Sequence, residues 1–211
     1  ILFATQFLLT LSCMSEAEKK KTSIGQKENK TIMKGEHFNI AEYEKRKSAE
    51  TTEFVLDDGT IVKQTEVGEG SYKNYIEHRI SPPPAIFQQF RRFHANGGLK
   101  LEGKRFHSGL QYGIWKEYNE RGAIVSETDH EAPYPFSFEE LIELAENYLK
   151  KNKYAESSLL HRRTSIARQN DEEGKFWFYS WESVPGQIDV LKVDGDTGAL
   201  IETSHYSLKK N

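Results

Sequence analysis

Two copies of one short pattern, set 25 residues apart, constrain this chain more than anything else in it. Phe93, Asn96, Gly97 and Leu99 recur as Tyr118, Arg121, Gly122 and Ile124. Between the copies lie Gly103, Phe106, Gly109, Gly113 and Trp115, a run of turn glycines and large aromatics. Each copy reads as strand, glycine corner, strand: IFQQFRRFH–ANGG–LKLEGKRFH, then YGIWKEYN–ERGA–IVSETDH. The aromatics flanking the corners alternate at period two, which sends successive side chains to opposite faces of a strand. One hairpin buries too little to stand alone, so the repetition predicts stacked hairpins sharing a continuous core. The recurring residues are accounted for as corners and core. Partner contacts are then expected from the residues between them: Arg105, His107, Gln111, Lys116 and Glu117.

Composition supports the same class. Ten Tyr, twelve Phe and three Trp suit pleated, half-buried surfaces and lean the chain toward β structure. The 29 basic and 32 acidic residues leave a net charge of −3, without the basic footprint of a nucleic-acid binder. A single cysteine, Cys13, excludes an intrachain disulfide and a cysteine-based structural zinc site.

Residues 1–11, ILFATQFLLTL, read as the apolar core of a secretory signal, and they are too short for a spanning helix. With Ser12 before it, Cys13 resembles the acceptor of a bacterial lipobox, although Thr10 stands where a leucine-like residue is usual. Lipidation at Cys13 would anchor the chain to a membrane of the bacterial envelope, facing periplasm or cell surface. The alternative is translation from Met14 or Met33, which would give a cytoplasmic protein without cysteine. Residues 14–48 begin as a charged, aperiodic tether. A helix over NIAEYEKRKSA follows, capped by Asn39.

From residue 49 to 132 a β-meander is expected. Asp57-Asp58-Gly59 signals a hairpin and echoes the later corners as a degenerate earlier copy. SYKNYIEHRI reads as a further strand, and Pro82-Pro83-Pro84 as an interruption of the sheet. The strings NGGLKLEGK, SGLQYGIWKEYNERGAIVSETD and PYPF resemble the MORN-variant repeats of bacterial proteins, many of them lipoproteins grouped with antitoxins. The likeness runs from Thr52 to Phe138 and is most specific at Gly113, Trp115, Tyr118 and Gly122; Phe93 stands where tyrosine is common. It implies a β-hairpin sheet and a protein frequently encoded beside a secreted toxin.

Residues 133–211 change character. Ser137 and Glu140 form a capping box, with Phe136 and Leu141 placed as a hydrophobic staple. Leu141, Leu144, Ala145, Tyr148 and Leu149 give one apolar stripe, and Lys150, Lys151 and Lys153 complement the helix dipole at its end. Strands are expected over LLHRRTSIARQ, KFWFYSWESV, IDVLKVD and ALIETSHY, the last two joined by the turn DGDTG. The ending VDGDTGALIE resembles small periplasmic domains of the PepSY or cystatin-like type. Trp177, Tyr179 and Trp181 alternate with Phe176 and Phe178. Trp177, Phe176 and Phe178 are expected in the core, under the helix on one side and the repeat sheet on the other. Tyr179 and Trp181 are candidates for partner contact.

The overall expectation is a β-rich α+β fold: a MORN-like antiparallel meander followed by a helix packed on an antiparallel sheet. No two of the seven histidines stand in HxH or HxxxH spacing, and DGDTG lacks the further ligands of a calcium loop. Glu139, Glu140 and Glu143 are explained as first-turn acids. No nucleophile elbow or phosphate loop occurs. The expected function is that of a non-enzymatic envelope lipoprotein without cofactor or metal. It would bind another protein, as an immunity factor that occludes a cognate toxin. The alternative expectation is a structural or ligand-binding envelope lipoprotein with no toxin partner.

Overall fold

A computed structural model describes residues 37–154 and 164–208. The expected leader, the expected lipidation site Cys13, the expected tether to residue 36 and the start of LLHRRTSIARQ lie outside the described residues.

Alternating patterns become two antiparallel sheets. Seven strands follow one another in sequence order: β1 (Thr51–Val55), β2 (Ile61–Val67), β3 (Asn74–Ile80), β4 (Phe87–Phe93), β5 (Leu99–Phe106), β6 (Gln111–Tyr118) and β7 (Ile124–Asp129). Four of the connections use one turn. In each, the last residue of the outgoing strand or the one after it donates to a carbonyl four positions on, and a positive-φ glycine three positions on donates back to it. The glycines are Gly59, Gly97, Gly109 and Gly122. Such turns need a left-handed residue, which glycine adopts without a Cβ clash.

Gly97 and Gly122 sit at the same end of the sheet because 25 residues make one up-and-down pair of strands. Gly59 has the same turn at the opposite end, in phase with Gly109. The earlier corner is thus the same device but not a preceding copy in register. The prolines do not interrupt the sheet either. β3 and β4 pair from Tyr75↔Phe93 to Arg79↔Gln89. Pro82–Pro84 lie in the connection between them, where no ladder donor is needed.

The helix near the start is α1 (Ile40–Arg46), shorter than the segment expected to form it. Asn39 caps it by accepting from the Glu42 amide at 3.0 Å. It covers one end of the meander with Phe38 and Tyr43 against Tyr75 and Phe93. Helix α2 (Phe138–Lys151) has both bonds of its capping box. It buries Phe138, Leu141, Ala145 and Leu149. The second sheet has the order β11-β10-β9-β8, made of β8 (Ser165–Asp171), β9 (Gly174–Val184), β10 (Gln187–Asp194) and β11 (Leu200–Ser207).

One core spans the change of sheet near residue 133. Phe106 and half-buried Phe87, Leu110 and Tyr112 of the meander pack with α2 and with Trp177, Tyr179, Leu191 and Val193 of the second sheet. Meander and helix therefore meet the same face of β9, not opposite faces. Phe176 and Phe178 point the other way and are only half-buried, with the Lys192 ammonium 4.0 Å from the Phe176 ring centre. Strand alternation forces this: once Trp177 faces the helix, its neighbours cannot. The corner between β5 and β6 fastens the two sheets. Ser108 Oγ accepts from the Ile166 amide and donates to the Ile166 carbonyl, and Arg168 donates to the Gln111 carbonyl.

Candidate functional site

Register places one polar residue from each strand in a row across the meander. Thr52, Gln64, Glu77, Arg91, Glu102, Lys116 and Glu127 are successive cross-strand partners. From Glu77 onward the charges alternate in sign, and opposite charges directly across a ladder stabilise that register while like charges oppose it. At the inner end Glu77 is 5% and Arg91 7% exposed. Glu77 accepts from Gln64 at 2.7 Å and from Arg79 at 2.8 Å, with Arg91 at 3.6 Å. At the outer end the Lys116–Glu127 pair, 3.3 Å apart, is solvated.

Beside the outer half of this row lies an open groove of about 810 Å³. Its apolar part comes from Phe87, Tyr112 and Ile114, and its polar part from Glu102, Lys104 and Lys116. Phe87 and Tyr112 stack with ring centres 4.2 Å apart. The Tyr112 hydroxyl donates to Glu139 of α2 at 2.6 Å. That bond, then burial, pushes the phenol up to about 12. Tyr118 donates to Glu102 at 2.6 Å, and burial followed by that bond pushes it up to about 12 as well. Both hydroxyls are thus fixed as donors, Tyr118 to the groove's Glu102 and Tyr112 to Glu139 of α2. Lys104 makes no ion pair among the described residues. Ile114 is 55% exposed and leads to the edge strand β7, where Ile124 and Val125 are also exposed.

The other face of the meander carries a stack instead. Trp115 lies across the backbone at Gly103, rests on Phe90 with centres 5.3 Å apart, and donates its indole N–H to the Lys104 carbonyl. The bulge at Gly113, with φ +65, lets β6 bring the ring back over β5. The Arg105 guanidinium covers Phe90 at 4.9 Å. His78 lies edge-on to Phe90 and bonds Gln88; burial lowers its pKa below the usual histidine value.

The residues singled out from sequence are therefore scattered. Lys116 lies in the groove. Arg105 and Gln111 are register partners on the opposite face, and Glu117 shares that face opposite Leu101. His107 is exposed at the β5–β6 corner, where its ring is bonded to the Thr164 carbonyl. Tyr179 and Trp181 are 0% and 2% exposed, so they form core and offer no partner surface.

The charged row was missed, yet the sequence carries it. Arg91 and Lys116 stand 25 residues apart, as do Glu77, Glu102 and Glu127, and so do the stacked Phe90 and Trp115. The signal lay in the same period as the glycine corners, at the polar positions. Among the described residues no group of three or more His, Cys, Asp or Glu converges as a metal set. Compared with family models, with curated proteins and with solved structures, the chain matches none.

Proposed function

We propose that the chain is a binding module that holds a protein partner against the outer half of its seven-stranded sheet, in the role of an immunity factor that occludes a toxin. The single observation that carries the binding reading is the groove of about 810 Å³, with its Phe87–Tyr112–Ile114 floor and its charged wall of Glu102, Lys104 and Lys116. Its Ile114 is 55% exposed and pairs with Asp129 of the edge strand β7. Apolar contact area framed by charges of both signs suits a protein surface, with orientation set by charge. The toxin as partner rests on the likeness of residues 52–138 to MORN-variant repeats. The envelope location rests on the leader and Cys13.

The experiment is capture with the tagged chain from cells expressing the toxin encoded beside its gene, together with toxin survival after deletion of that gene. Recovery of the toxin, lost on Ile114→Arg or Lys116→Glu with folding intact, supports the reading. Absence of any toxin in the capture, together with unchanged sensitivity on deletion, overturns it.

A further inference from the structure

We propose that the cleft between the C-terminal end of α2 and the inner face of the second sheet binds a small protonated amine that also carries a hydrogen-bond acceptor. The cleft has a volume of about 210 Å³ and is separate from the meander groove. Its floor is a cross-strand row: Trp181 of β9, Asp189 of β10 and His205 of β11 are register partners. Residues directly opposite on one face bring their Cβ atoms to about 5 Å, so the three side chains are neighbours. Tyr148 and Tyr154 from the helix end close the other side, and Thr203 stands at the open edge.

Two groups here lack the partner their burial requires. Trp181 is 2% exposed, and its indole N–H is buried without an acceptor in the protein. Buried donors in folded proteins are nearly always bonded, so an orphan lining a polar cleft points to an acceptor supplied from outside. Asp189 is 9% exposed. It accepts from the Tyr154 hydroxyl at 3.2 Å and the Gln187 amide at 2.8 Å. Both donors are neutral, and among the described residues no Lys, Arg or His forms an ion pair with this carboxylate. A carboxylate this buried calls for a cation. The negative end of the α2 dipole adds to the same preference. Water would satisfy the indole but leave the charge uncompensated. An amine with a nearby hydroxyl or carbonyl answers both. The inference does not rest on the partner reading of the meander.

The test is a titration of the full chain with ethanolamine, followed by the Trp181 indole N–H resonance. Choline, which keeps the alcohol but has no N–H donor, and ethylene glycol, which has no charge, serve as comparison probes. A saturable shift with ethanolamine is expected, with affinity lower on the order of tenfold or more for choline and for the Asp189→Asn variant. If Asp189→Asn does not fold, Thr203→Leu, on the exposed edge strand, fills the mouth and should abolish the shift. A resonance that ethanolamine leaves unmoved overturns the proposal. So does an equal response to all three probes, or undiminished binding in the folded variant.

Discussion

Trp115 lies flat over Gly103: a Cβ built at residue 103 would overlap the indole itself. The indole is 3% exposed although no helix among the described residues covers this face of the meander. It is buried by its neighbours in the sheet, with Gly103 beneath, Phe90 beside and its N–H on the Lys104 carbonyl. An absent side chain on one strand thus makes room for the largest side chain on the next.

Gly103→Ala should therefore act as overpacking. Displacing the indole is expected to cost about 1–3 kcal/mol in urea unfolding, with a change in tryptophan emission. The same Ala in a Trp115→Ala background should cost much less, because the clash is gone. Equal costs in the two backgrounds would mean that the two residues are not coupled.

Trp115→Ala by itself should lose roughly 3–5 kcal/mol, the range for deleting a buried large aromatic. A near-normal melting temperature would place the ring outside the stabilising core and reopen its face as a binding surface.

The inner end of the charged row gives a graded comparison. Glu77→Ala removes the buried carboxylate that Gln64, Arg79 and Arg91 share and should cost roughly 3–5 kcal/mol. Arg79 bonds the same carboxylate but its side chain is 37% exposed. Arg79→Ala should cost under about 1 kcal/mol in the same assay, because solvent replaces much of what is lost.

At the start of α2, Ser137→Ala should cost about 1 kcal/mol through loss of the cap. Bonds from the Ser137 amide and hydroxyl hold the Glu140 carboxyl below its ordinary 4.5. A depressed carboxylate contributes stability that is present above 4.5 and lost as pH falls through the lowered folded value. Melting temperature followed from neutral pH into that acid range should fall less steeply for Glu140→Gln than for the unaltered chain.

The alkaline side carries the opposite sign. Tyr112 moves from 10.0 to about 12, chiefly through its bond to Glu139. The stability from that raised phenol is fully present below pH 10.0 and disappears as pH rises toward about 12. Phenolate absorbance should show late titration from Tyr112 and Tyr118 together, and Tyr112→Phe should remove one of these two late-titrating tyrosines. Titration of every folded-state tyrosine near the ordinary value would contradict the Tyr112–Glu139 bond.

By itself the sequence determined what short-range physics controls. The corners at Gly97 and Gly122 were legible because such turns demand glycine. The α2 cap was legible because Ser137 and Glu140 are three residues apart, and β6 because Trp115 and its neighbours alternate. The hairpin at Asp57-Asp58-Gly59 was legible too, but not its phase, since only the count of intervening strands assigns a corner to one end of the sheet. Tertiary structure alone decided which face meets what. Tyr179 and Trp181 read as open to a partner and Phe176 and Phe178 as core, because period two separates two faces without saying which is covered. Once α2 and the β5–β6 corner settled on the Trp177 side, the first pair became core and the second was left half-exposed. The groove has the same origin, whereas the charged row is divided: the 25-residue period marks Glu77, Arg91, Glu102, Lys116 and Glu127, and pairing register across five strands brings them into line.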